Sequence, residues 1–317
     1  MVRRVPQVRR ADLAVTASSQ QEQTFTLRQG ETEVVIGAVS AAIRSLRVGS
    51  REVIPADTEG ARKHWFSGVT LAPWPNRLAD ARWSFEGKEL VGEINDRLGH
   101  ALHGLVASRT FDLVRQADDS VVLSFMLGED AVYPFEVIIE VEYQAKPDGV
   151  DCRISAINLD AARVPVALGA HPYLPFTEEC ELSLPAASVL EVDDRKIPTG
   201  ESKPALEFGV VVGQARPMLG FNADDCFTDL AVDNSESVSQ IRYPDGSVTE
   251  VWQDAALPYT MVFTLREFPW QAGRTPAIGI EPQSAPANAL ASGKDLTWLD
   301  SGQSCSVSWG IRSVSVK

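Results

Sequence analysis

The sequence predicts an all-β protein built as a large antiparallel β-sandwich, and three observations carry that expectation. Apolar and polar residues alternate with period two along most of the chain, turn residues separate the alternating segments, and sustained helical periodicity is almost absent. The clearest strand is FEVIIEVEY, where Phe135, Val137, Ile139, Val141 and Tyr143 share one face and Glu136, Glu140 and Glu142 the other. The next segment repeats the device, with Val150, Cys152, Ile154 and Ala156 opposed to Asp151, Arg153 and Ser155. Between them KPDG is a turn signal, so the two segments form a hairpin. RWSFEGKEL gives a second hairpin, turning at Glu86 and Gly87, and further strands are expected at 121–127, 259–265 and 305–316.

Composition narrows the rest. The chain has 317 residues, 44% hydrophobic and 23% charged, which is enough apolar material for a substantial core. Its 19 prolines and 22 glycines are scattered and mark no linker, so residues 21–317 are expected to form a single domain behind a poorly ordered arm over 1–20. The formal charge of -14 repels nucleic acid and anionic membranes, which leaves a neutral or cationic small molecule as the natural partner. No apolar run of about 18 residues is present to span a membrane, and the basic start MVRRVPQVRR is not followed by a signal-peptide core. Cys152, Cys180, Cys226 and Cys305 form no CxxC pair, so free thiols in a reducing cytoplasm are expected, with no metal site. Either a monomer or a homodimer fits this composition.

Three separated stretches differ from ordinary strand sequence. LAPWPNR with the later LHGL supplies Arg77 and His103; LGAHPYLPF supplies His171; IGIEPQSAPANAL supplies Glu281. Pro172 pushes the His171 backbone toward extended geometry, so this histidine belongs on or at the end of a strand. Glu281 closes the apolar run AIGI, where a carboxylate held at the rim of a core can have its proton affinity tuned by burial; a surface-facing strand end is the plainer alternative. Likewise a lone histidine is more often a satisfied core residue than a catalytic one. His64 and His100 are assigned structural or exposed roles, and ARKH over 61–64 is expected to be a solvated loop.

Taken in chain order, APWPNR, LHG, GAHPYL, IPTG, DDCF and IEPQSAPANAL resemble the aldose 1-epimerase family, also called galactose mutarotases, over roughly residues 68–290. The resemblance implies a galactose mutarotase-like supersandwich, no cofactor, and interconversion of the α and β anomers of a free aldose such as galactose or glucose. It makes His171 the general acid and Glu281 the general base. Arg77 and His103 would bind or polarise the sugar, with Asn76 beside them in the same motif, and Asp224 would hold hydroxyl groups, its neighbour Asp225 being the alternative. Two departures stand out: Ala81 where the family usually has glycine, and Leu174 where many members carry a second aromatic.

These residue types suit the chemistry on independent grounds. Anomerisation removes the C1 hydroxyl proton while the ring oxygen is protonated, which a carboxylate and an imidazole on opposite sides of the anomeric centre accomplish. An unperturbed histidine titrates near about 6.5, so His171 is expected to be protonated in useful fraction at neutral pH. An aromatic face would pack on the C–H side of the sugar, with Tyr173, Trp252, Trp74 and Trp270 as candidates. Two other functions compete: a non-catalytic carbohydrate-binding or regulatory protein on the same fold, and a hexose-phosphate 1-epimerase, which needs additional cations in the pocket.

Overall fold

The computed structural model describes residues 22–128 and 130–314, and the arm expected over 1–20 lies outside them. Two large antiparallel sheets dominate. The first has nine strands, ordered Asp112–Gln116, Ser120–Leu127, Val137–Lys146, Gly149–Asn158, Ser304–Val314, Val248–Asp254, Glu236–Arg242, Glu181–Ser183 and Arg216–Pro217. The second has eight, and runs Pro198–Pro204, Ala186–Val192, Asp224–Leu230, Tyr259–Trp270, Gly273–Gln283, Gly169–Ala170 and Thr70–Leu71, with Tyr173–Pro175 pairing beside Gly169–Ala170. A four-stranded sheet over Thr24–Ile54 packs its Leu27, Ile36 and Leu46 into the same apolar core. No helix among the described residues is long and apolar enough to cross a membrane.

Alternation in the sequence becomes alternation in burial. Val137, Ile139, Val141 and Tyr143 are buried, and the residues between them are partly exposed. Lys146 pairs with Gly149 across KPDG, and the second hairpin turns through Glu86 and Gly87, both at positive φ (50° and 79°), the consecutive left-handed pair of a two-residue hairpin turn.

The eight-stranded sheet matters most for function because its two faces carry different residues. Val262, Ile278 and Ile280 point into the core. The alternate positions, Met261, Phe263 and Glu281, line a cavity, and register holds them side by side: Met261 opposes Glu281, Phe263 opposes Gly279, and Asp224 opposes Phe263. Tyr173 opposes Gly279 from the other side. A hairpin, Tyr259–Trp270 with Gly273–Gln283, and two strands from earlier in the chain, Tyr173–Pro175 and Asp224–Leu230, thus present one mixed polar and aromatic surface.

The segment expected to be a solvated loop at 61–64 is instead part of a helix, Glu59–Trp65. Thr58 caps it, accepting from the Ala61 amide at 3.1 Å and donating to the Pro269 carbonyl at 2.9 Å, a cap worth about 1 kcal/mol. Buried charges anchor its start: Asp57, with its side chain 1% exposed, accepts from Arg62 Nη1 at 2.7 Å and lies 3.7 Å from Arg44, which in turn donates to Glu22 at 2.7 Å. The helix ends at Phe66, held at φ 54°, an uncommon conformation for a bulky side chain. That turn brings the Phe66 ring to 4.7 Å from the ring of His103.

Candidate active site

His171 follows the two-residue strand Gly169–Ala170, and its backbone is pinned on both sides, donating to Val69 O at 3.0 Å and accepting from Gly68 N at 2.9 Å. Its Nε2 lies 3.2 Å from Glu281 Oε1. The two residues are only 4% and 1% exposed. Gly279 leaves room for the carboxylate: a Cβ there would sit a tight 3.3 Å from Glu281 Oε1 and in ordinary contact, 3.6 Å, with His171 Cε1. Gln283 donates to the second carboxyl oxygen, Oε2, at 3.1 Å.

Both sit in a cavity of about 710 Å3, within the roughly 300–1,000 Å3 range of small-molecule sites. Arg77 and His103 enter from two short paired strands, Arg77–Leu78 and Ala101–Leu102, with the His103 ring 5.1 Å from that of His171. Asn76 and His103 both take left-handed backbone (φ 55° and 65°), and the His103 amide donates to Asn76 O at 2.8 Å. The glycine after His103 is required, because at Gly104 (φ 72°) a Cβ would lie 2.1 Å from the Ala72 carbonyl oxygen. Ala81 is itself at φ 52°, the left-handed region that favours glycine. Arg77 is aimed by Asp96, which accepts from Nε at 2.9 Å, and by the Asn76 side-chain Oδ1, which accepts from Nη1 at 3.4 Å. Of the adjacent aspartates, Asp224 lines the cavity and Asp225 does not; the Asp224 carboxylate is 3.4 Å from Lys196 Nζ.

Burial sets the electrostatics. Desolvation holds His171 down to about 3 in this pocket, in the direction opposite to a histidine protonated at neutral pH. His103 is likewise kept well below the usual histidine range by burial, then by His171 and Arg77, so it is a neutral imidazole. Glu281 is pushed well above the carboxylate range by desolvation and by Asp224, against the opposing pull of Gln283 and Arg77. Burial therefore favours a His171–Glu281 pair that shares a single proton, held on the carboxyl side.

The structure brings His171, Glu281, Arg77, His103, Asp224, Asn76 and Tyr173 to one cavity. Trp252 is the exception and its assignment is corrected: it belongs to the nine-stranded sheet, where its indole packs over Gly310 under the Arg312 guanidinium, 5.0 Å from the ring, and it does not line the cavity. Trp74 and Trp270 are core residues, 2% and 4% exposed. Aromatic surface comes instead from Trp65, Phe66 and Phe263, with Tyr173. The alternation of YTMVFTL places Met261 and Phe263 on one face and was a usable signal for them; Trp65, Phe66 and Asp96 had none, lying in segments without periodicity. His64 is exposed at the cavity, and His100 is structural, its Nδ1 accepting from the Asp80 amide at 3.2 Å. A second cavity of about 430 Å3, lined by residues such as Leu105, Phe125 and Glu136, holds none of the candidates.

A family model described as aldose 1-epimerase matches residues 23–311. The chain is 28% identical over 288 residues to the uncharacterized protein YihR of Escherichia coli (strain K12), covering 89% of this chain and 90% of that one. It is 28% identical over 201 residues to the galactose mutarotase of Sus scrofa, covering 57% of each. Among solved structures, the GalM/aldose epimerase homologue from C. elegans superposes with a TM-score of 0.79 at 16% identity, over 94% of this chain and 100% of that one. A galactose mutarotase-like protein from Clostridium acetobutylicum gives 0.77 at 16% identity, over 93% and 96%. At such identities these structures speak for the fold alone.

Proposed function

The chain belongs to the aldose 1-epimerase family, and from that premise we propose that it is a mutarotase that interconverts the α and β anomers of a free aldose such as galactose or glucose. The observation that carries this is the contact of His171 Nε2 with Glu281 Oε1 at 3.2 Å inside a cavity that also holds Arg77, His103 and Asp224. Glu281 takes the C1 hydroxyl proton as the C1–O5 bond breaks; the bond's electron pair goes to the ring oxygen, which takes a proton from His171. The aldehyde rotates about C1–C2, and reclosure runs the same transfers backward. Opening and reclosure each need one proton on the pair, which is the count that burial favours. Sugar hydroxyls entering the pocket supply hydrogen bonds that favour the ion-pair arrangement, imidazolium and carboxylate, over the neutral one.

Arg77 offers planar donors, Asp224 accepts, neutral His103 polarises a hydroxyl, and the Tyr173 and Phe263 rings meet the C–H face of the sugar. A reducing, cytoplasmic setting belongs to this proposal, supported by four unpaired thiols. A second possibility, a hexose-phosphate 1-epimerase, draws on Arg97 and His64, which line the cavity with no ion-pair partner among the described residues. Exchange NMR on the anomeric protons separates them: the mutarotase account expects protein-dependent α–β exchange in galactose or glucose. Exchange confined to glucose 6-phosphate would favour the second possibility, and none on any sugar would reject both.

A further inference from the structure

Gln283 lies two residues beyond Glu281 on the same strand, so alternation puts both side chains on one face. It is fully buried, and it does not line the cavity. Its backbone is fixed from both sides, paired with Tyr259 on one neighbour and with Gly169, just before His171, on the other. Its Nε2 donates to Glu281 Oε2 at 3.1 Å, while its Oε1 is buried with no partner among the described residues.

An unpaired amide oxygen in that position has a use if the neighbouring carboxyl changes protonation state. A primary amide can donate to a carboxylate, and after a half-turn of its end group it can accept from a carboxylic acid. Few side chains of this size do both. We propose that Gln283 is a positioning residue for Glu281, its amide holding one carboxyl oxygen in both protonation states so that the other stays toward His171. This rests on the mutarotase account, in which Glu281 is protonated and deprotonated once per turnover.

Other groups also act on Glu281: His171 beside it, Asp224 and Cys226 from the strand beyond its neighbour Tyr259–Trp270, Tyr173 from the strand on its other side, and Arg77 from across the cavity. Gln283, and then Arg77, favour its ionised form. Removing the amide therefore raises the proton affinity of Glu281.

The test uses full-length Gln283→Met, which removes the amide at similar volume, and Gln283→Glu, which keeps the shape and replaces the donor. The pH dependence of kcat and KM for galactose mutarotation is measured, together with a 13C NMR titration of the Glu281 carboxyl, identified by its loss in Glu281→Gln. Losing a hydrogen bond to a charged group predicts a fall in kcat of about tenfold or more and an alkaline limb moved up by about one pH unit. KM should change by less than about twofold, because Gln283 does not reach the sugar. Lower kcat with the limb and the Glu281 titration unmoved would mark Gln283 as packing only and overturn the proposal, as would unchanged kinetics. If Gln283→Met does not fold, the same readouts on Gln283→Glu decide. If the wild type proves inactive on every sugar, the mutarotase account fails, and the NMR titration still shows whether Gln283 sets the proton affinity of Glu281.

Discussion

At the scale of single residues the defining feature is a buried acid and a buried imidazole that touch each other. Because burial drives His171 down to about 3 and Glu281 well up, the one-proton form of the pair spans neutral pH, and activity is lost only when a second proton binds or the shared one leaves. The kcat/KM profile should then be flat through the ordinary histidine range near about 6.5, with its acid limb well below it. A limb centred at that ordinary value would contradict the protonation assignment. Stability follows the same logic with an explicit sign. Burial raises the folded-state pKa of Glu281 above the ordinary glutamate value of 4.5, so the stability it contributes is full below that ordinary value and is lost as pH rises through the folded one. Glu281→Gln removes that dependence. The variant's Tm should therefore exceed that of the wild type by a margin that grows from about pH 5 to about pH 8, and a margin independent of pH would count against a raised Glu281.

At the scale of elements, the helix Glu59–Trp65 shows what the sequence displayed and what it hid. Its seven residues are too short for a visible 3.6-residue pattern, and the charges in ARKH look like solvent-facing residues. Partners far away in sequence determine its structure: Arg62 reaches Asp57, and Asp57 lies beside Arg44 on the strand Ala42–Val48. Since Trp65 and Phe66 form one wall of the cavity, this charge cluster supports the site from behind. Asp57→Asn leaves Arg44 and Arg62 short of a buried counter-charge and should lower stability by about 3 kcal/mol, read from urea unfolding. A loss under about 0.5 kcal/mol, the size of an ordinary surface substitution, would show that Glu22 alone suffices. The strands were far more legible, because period-two burial leaves its mark on every residue. Val137–Lys146 and Gly149–Asn158 could be read directly, together with their turn.

At the scale of the whole molecule, the all-β class and the cavity residues His171, Glu281, Arg77, His103, Asp224, Asn76 and Tyr173 were legible, while sheet membership was not. Trp252 illustrates the difference. Alternation shows that it lies on a strand with one buried face, but a tryptophan toward the sugar and one packed over Gly310 in the other large sheet have the same local pattern. His171, Glu281 and Arg77 could be picked out because short motifs with proline, glycine and polar residues interrupt that pattern; long-range pairing in the eight-stranded sheet then brings His171 and Glu281 together, and Arg77 joins them from its own short pair with Ala101–Leu102. The central claim is that this assembled pair moves the protons of ring opening. Polarimetry on freshly dissolved α-D-galactose and α-D-glucose, with the wild type, His171→Asn and Glu281→Gln compared at equal concentration and with folding checked by circular dichroism, tests it most directly. The account predicts that the wild type speeds the approach to equilibrium rotation and that each variant loses about a hundredfold or more of that acceleration. A folded wild type that leaves both sugars at the buffer rate, or variants that retain its acceleration, would contradict it.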